Sequence, residues 1–373
     1  MKITDIETII LRIKGEIQLK SDGTQDALII KVHTDEGITG IGEVDSSPYV
    51  VKAAIEAPIS HSVCYGLREI LIGEDPLEIG KLWDKMYKLS NWYGLRGVAI
   101  HAMSGIDIAL WDIFGKVTNQ PIYKLLGGAF QKKIRAYAST LFPDTPEEMK
   151  IITKKNIDLG YTAIKYGWNQ FGKDEKRDLL LVETARKTAG DDIDIMIDAG
   201  LGYTDTNKAI QVAKKLKDFN VYWLEEPFPS DNIEAYAKLS NAVDINIAAG
   251  ERIETHYEFK KLIENAKVDI IQPDITRAGG FTECKKIAVV ADLYNKLIIP
   301  HGWSTDVLLA ATLHFDASLP VCKFIEFCIQ DSPLRKYLIQ EPFKIKDGYV
   351  EVREAPGLGI ELNEKVLNEY RIG

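Results

Sequence analysis

Apolar and polar positions along this 373-residue chain follow two rhythms, and the change between them falls near Gly127-Gly128. Before it, Met1–Ile13, Ala27–Thr34 and Ile38–Val44 read as strands, the last two joined by the hairpin-type turn Asp35-Glu36-Gly37. From Gly97 to Lys116 the apolar residues recur at helical spacing, which predicts a long helix. This first part is an α+β module. Its connection from Lys14 to Asp26 is long and polar, with glycine at 15 and 23, a pattern shared by lids and by plain surface insertions.

From Ile134 a short apolar run, a loop and an amphipathic helix repeat. The runs are Ile134–Ser139, Thr162–Tyr166, Asp194–Asp198, Val221–Glu225, Ile245–Ala249, Asp269–Pro273, Lys296–Pro300 and Lys323–Phe327. Eight such runs separated by helices predict a (β/α)8-type barrel. A doubly wound open sheet is the competing fold, but no GxGxxG or GxxxxGK[ST] follows any run. Residues 344–373 regain β character, contain the turn Pro356-Gly357-Leu358-Gly359, and are expected to fold back on the first module.

Composition narrows the class. Acidic residues outnumber Lys and Arg by 55 to 46, against the concentrated positive charge of a nucleic-acid binder. No uninterrupted apolar run reaches the roughly 18 residues that cross a bilayer, and the start lacks signal-peptide character. Four cysteines (Cys64, Cys284, Cys322, Cys328) with no CxxC pair make no disulfide framework. A reduced, cytoplasmic globular protein is expected, with no nucleic-acid or membrane partner.

In a barrel the chemistry sits where the strands end. Those positions hold Lys165, Asp198, Glu225, Glu251, Asp274, His301 and Glu326, spaced 23 to 33 residues apart, one βα unit each time. A single charged residue at a strand end is ordinarily a solvated loop residue; an unbroken series of seven is not the product of independent accidents. Asp198, Glu225 and Glu251, from adjacent strands, would repel one another without a cation between them, and oxygen-only ligands favour a hard ion such as Mg²⁺. Pairing with lysine or arginine on neighbouring loops is the alternative. Glu225 is followed by Glu226, and spacing alone leaves open which points inward. Asp274 and His301 fit a carboxylate that orients an imidazole base. Lys165 fits a substrate carboxylate, or a base if its pKa is lowered, and Glu326 fits a hydrogen-bonding partner at the same anion or a buried structural acid. The other five histidines occupy no barrel strand end and read as structural.

These stretches resemble the enolase superfamily, in its mandelate-racemase-like branch. The matching segments are Ile197-Asp198, Trp223-Leu224-Glu225-Glu226-Pro227, Gly250-Glu251-Arg252, Gln272-Pro273-Asp274 with Gly279-Gly280, Pro300-His301-Gly302 and Phe324-Ile325-Glu326. Ser104–Asp112, Leu125–Gly128 and the Pro356–Gly359 turn match as well. The resemblance implies a (β/α)7β barrel over residues 127–343, capped by an α+β domain over 1–126 with the tail 344–373 packed on it. It implies Asp198, Glu225 and Glu251 as Mg²⁺ ligands, an Asp274–His301 acid/base dyad, Glu326 at the substrate carboxylate and Lys14–Asp26 as a specificity loop. A lysine or histidine base with a metal-stabilised enediolate is the chemistry implied. One position departs: where the family often carries Lys-x-Lys, this chain has Lys165-Tyr166-Gly167, so the second base of a racemase is missing. The expectation is dehydration of a sugar acid, an aldonate such as D-arabinonate, to a 2-keto-3-deoxy acid, by a homo-oligomer acting on a small molecule. A racemase or epimerase of 2-hydroxy acids on the same scaffold, and a non-catalytic acid-binding barrel, are the alternatives.

Overall fold

The computed structural model describes residues 1–15 and 23–372. β1 (Ile3–Arg12), β2 (Asp26–Thr34) and β3 (Thr39–Val44) form an antiparallel sheet. Five helices follow: α1 (Pro48–Glu56), α2 (Leu67–Leu71), α3 (Ile79–Leu89), α4 (Val98–Thr118) and α5 (Ile122–Leu125). β3 lies directly on α4, and glycine makes that possible, because a Cβ at Gly42 would sit 2.0 Å from the Gly105 carbonyl oxygen. By length and composition alone α4 is apolar enough to cross a membrane, yet 83% of its apolar window is buried inside the protein. It is a core helix.

Eight parallel strands make the barrel: β4 (Lys133–Leu141), β5 (Ala163–Gly167), β6 (Asp194–Asp198), β7 (Val221–Glu225), β8 (Asn246–Ala249), β9 (Ile270–Ile271), β10 (Leu297–Ile298) and β11 (Ile325–Cys328). Their hydrogen-bonded order is β10-β9-β8-β7-β6-β5-β4-β11. β9 and β10 are shorter than the runs expected around them because Pro273 and Pro300 follow closely and have no N–H to give to a ladder. Between β10 and β11 a side chain spans the seam: Gly302 N–H donates to Glu326 Oε2 at 2.8 Å. The outer helices used below are α6 (Pro146–Asp158), α7 (Glu175–Ala189), α8 (Thr206–Asp218), α9 (Ile233–Ser240), α10 (Thr255–Lys261), α11 (Gly280–Leu293) and α12 (Asp306–Ala317).

The C-terminal segment touches both parts of the molecule. β12 (Tyr349–Glu351) pairs antiparallel with β4, whereas β13 (Arg371–Ile372) pairs with β1, Ile10 opposite Ile372. Between them Leu358 N–H donates to Asp112 Oδ1 on α4 at 2.9 Å. Among the described residues Cys284, Cys322 and Cys328 are buried and Cys64 is partly exposed. Residues 16–22, the centre of the expected Lys14–Asp26 loop, lie outside the described residues.

Candidate active site

A floor of apolar side chains sets the register of the site. Tyr137, Ala163, Met196, Trp223, Ala248, Ile270, Ile299 and Phe324, one from each barrel strand or its flank, form a single buried cluster. Two residues further along each strand the same face returns. Those positions are Ser139, Lys165, Asp198, Glu225, Gly250, Gln272, His301 and Glu326. Trp223 in the floor therefore turns Glu225 inward and Glu226 outward, where Glu226 Oε1 accepts from Gly250 N–H at 2.9 Å. Glu251 and Asp274 enter from one and two residues beyond this layer.

Asp198, Glu225 and Glu251 are all buried, and each offers a carboxylate oxygen within 4.8 Å of the others. Asp198 Oδ1 accepts from Gly200 N–H at 2.8 Å, and Glu225 Oε2 from the Trp223 indole at 2.9 Å. Burial and then the neighbouring Glu225 push the Asp198 carboxyl well above its ordinary range, with Lys165 opposing. Such a concentration of buried negative charge fits a divalent cation held by oxygen ligands.

Lys165 lies between two carboxylates, 2.7 Å from Glu225 Oε1 and 2.9 Å from Glu326 Oε1. Burial works against its charge, but Glu225 and Glu326 outweigh burial and raise its pKa well above the usual value. A base role would need the opposite shift. Glu326 also accepts from Ser139 Oγ at 2.6 Å. Burial would keep it protonated, yet Lys165 and then His301 hold it down at about 2, so it is an ionised, fully paired acid and not a protonated one.

Across the mouth, His301 Nδ1 donates to Asp274 Oδ2 at 2.7 Å. A carboxylate only accepts, so the Nδ1 proton is fixed, and Nε2 is the ring nitrogen that faces the site, 3.2 Å from Glu251 Oε2. Burial disfavours ionised Asp274, but Arg277 and His301 prevail and lower its pKa. For His301 burial lowers the pKa, and Glu251, Asp274 and Glu326 together lift it to about 9.

Lys165, Asp198, Glu251, His301 and Glu326 line a cavity of about 560 Å³. All seven strand-end residues read from the sequence converge on this end of the barrel; Glu225 and Asp274 lie just behind the cavity wall, each bonded to a residue that lines it. Sequence spacing missed the remainder of the wall. His101 on α4 lines the cavity, with Nδ1 2.9 Å from Ser46 Oγ and Nε2 3.2 Å from Glu254 Oε1. Its place in the wall runs against the structural role expected of it, because strand-end register is blind to a residue delivered by another module. Gln25, Asp45, Arg252 and Arg277 also line the cavity. Of these, Arg252 had a local signal, standing directly after Glu251.

This capped barrel, with its carboxylates facing a histidine dyad, places the protein in a known class: the chain belongs to the enolase superfamily of enzymes. Residues 149–366 match the family described as enolase C-terminal domain-like, and residues 6–127 match the mandelate racemase / muconate lactonizing enzyme N-terminal domain. Members of that superfamily bind a divalent metal. The chain is 34% identical to D-galactarolactone cycloisomerase of Agrobacterium fabrum, over 100% of this chain and 99% of that one. It is 31% identical to arabinonate dehydratase of Saccharolobus solfataricus, with 97% and 94% covered, and 34% identical to D-galactonate dehydratase of Pectobacterium atrosepticum, with 92% and 90% covered. Among solved structures, the 3,6-anhydro-D-galactonate cycloisomerase of Zobellia galactanivorans superposes with a TM-score of 0.91 at 32% identity, all of both chains covered.

Proposed function

We propose that the protein is a Mg²⁺-dependent dehydratase of a sugar acid, an aldonate of the D-arabinonate kind, that yields a 2-keto-3-deoxy acid. The observation that carries the proposal is a single imidazole base, His301, oriented by Asp274 on one face of the cavity, with no side chain at Gly167 on the other. Asp198, Glu225 and Glu251 would hold the ion, whose positive charge would lower the cost of the anion formed when the α-proton leaves. Lys165 is assigned to the substrate carboxylate and Glu326 to its hydrogen-bonding partner, a role in which Glu326 takes up a proton as the anion binds. With Glu251 drawn to a cation, the His301 ring would release its second proton, and Nε2 then takes the α-proton from C2. The imidazolium then returns a proton to the departing 3-hydroxyl, and the enol ketonises. One face suffices for dehydration, whereas inversion at C2 needs a proton donor on each.

The cavity and the relatives support a small-molecule substrate. In the same reading, residues 1–126 with the tail 344–373 cap the barrel of residues 127–343, and identical subunits assemble in the cytoplasm. The likeness to D-galactarolactone cycloisomerase supports adding sugar-acid lactones to the substrates tried. The test is a screen of aldonates, aldarates and their lactones for 2-keto-acid formation. Turnover of none of them, with the protein folded and supplied with Mg²⁺, would sink the proposal.

A further inference from the structure

β3 ends over the half of the barrel mouth that carries Asp274 and His301, and alternate residues at its end grip the two loops that hold them. Glu43 accepts from Ser304 Oγ, Thr305 Oγ1 and Leu308 N–H, each at 2.7 Å, and from Thr305 N–H at 3.3 Å. These donors follow His301 closely and open α12. Asp45, two residues on and therefore on the same face of extended chain, grips the loop after Asp274. Arg277 Nη2 donates to Asp45 Oδ2 at 2.5 Å and Arg277 Nε to Asp45 O at 2.9 Å, while Asp45 N–H donates to Thr276 Oγ1 at 3.2 Å.

The grip reaches both oxygens of the dyad carboxylate. Thr276 donates from its N–H at 2.7 Å and its Oγ1 at 2.6 Å to Asp274 Oδ1. Arg277 Nε lies 3.7 Å from Asp274 Oδ2, the oxygen that accepts from His301. Asp198 and Glu225 sit within strands paired on both sides, so the barrel itself orders them. Asp274 instead follows a two-residue ladder and Pro273, which has no N–H to donate. Its loop takes order from Asp45 outside the barrel as well as from Glu251, whose carbonyl oxygen accepts from Arg277 Nη1 at 3.2 Å.

We infer that Asp45 is a positioning residue for the His301–Asp274 pair, so that seating of the N-terminal module aligns the base. This rests on the assignment of His301 as the base. A carboxylate free to swing by about 1 Å would carry the imidazole off the line to the α-proton, a displacement that costs on the order of 100-fold in rate.

Asp45→Asn keeps the size and the backbone N–H of the residue and removes the charge that holds Arg277; Arg277→Lys keeps the charge and removes the fork. The readout that needs no substrate is the NMR signal of the His301 Nδ1 proton, identified by its loss in His301→Asn. It is expected to shift or broaden in both variants while the thermal midpoint holds. With D-arabinonate or D-galactonate as probe, kcat for α-proton exchange should fall about 10- to 100-fold with KM within about threefold. An unchanged NMR signal with unchanged kcat would overturn the inference. So would a rise in KM alone, which would make Asp45 a substrate-binding group. If the wild type exchanges the α-proton of neither probe, the functional reading fails for them, and the NMR comparison still decides the positioning role.

Discussion

Gly167 and Asp198 occupy the same space in alternation: a Cβ added to Gly167 would lie 2.8 Å from the Asp198 Cβ and 2.9 Å from its Oδ2. β5 and β6 pair here, Gly167 opposite Asp198. The missing second base is thus a place already taken by a carboxylate of the central cluster. Gly167→Ala should push Asp198 aside at an overpacking cost of about 1–3 kcal/mol and weaken Mg²⁺ binding, read by calorimetric titration. Gly167→Lys should create no racemase. C2-inverted substrate accumulating from that variant in D₂O would show that the position can accept a working base.

The three carboxylates make a claim about metal. Chelation should abolish turnover and added Mg²⁺ should restore it. Glu251→Gln removes one charge from the cluster and should raise the Mg²⁺ concentration needed for half activity by at least about tenfold. Full activity of chelated protein would remove the ion from the reaction.

The dyad separates dehydratase from racemase. His301→Asn should eliminate α-proton exchange and keto-acid formation together, because one imidazole serves both steps. Asp274→Asn keeps the shape but lets the ring take the wrong tautomer, and a loss of about 10⁴ in kcat is expected. Wild-type protein stopped at partial conversion in D₂O should give a 2-keto-3-deoxy acid and no inverted substrate. The reverse outcome, inverted and deuterated substrate without keto acid, would favour a racemase.

A buried acid on α4 sets a pH dependence of stability. Asp107 Oδ2 accepts from Thr282 N–H at 3.0 Å at the start of α11, and burial lifts its pKa to about 7. Glu43 is lifted to about 7 by the same cause. At these two groups the folded protein keeps protons that the unfolded chain has shed above about pH 4, so their contribution to stability falls as pH rises from about 4 to 7. Asp107→Asn retains the acceptor without the charge. It should be near neutral at pH 5 and stabilising by roughly 1–3 kcal/mol at pH 8, measured by urea unfolding at both values. Equal effects at the two pH values would show that Asp107 does not titrate between them.

The chain by itself determined the alternation of eight apolar runs with helices, and with it the spacing that puts Lys165, Asp198, Glu225, Glu251, Asp274, His301 and Glu326 at strand ends. That much is local, because strand and helix periods are written in neighbouring residues. The choice between Glu225 and Glu226 was left open by spacing and is fixed by the floor residue Trp223, whose burial depends on seven other strands. The charge states of Lys165 and Glu326 likewise depend on partners 25 to 161 residues away, since a buried charge is set by what surrounds it. His101 and Asp45 meet the site only when the N-terminal module docks on the barrel. No periodicity records that contact, which exists because two separately patterned surfaces bury each other.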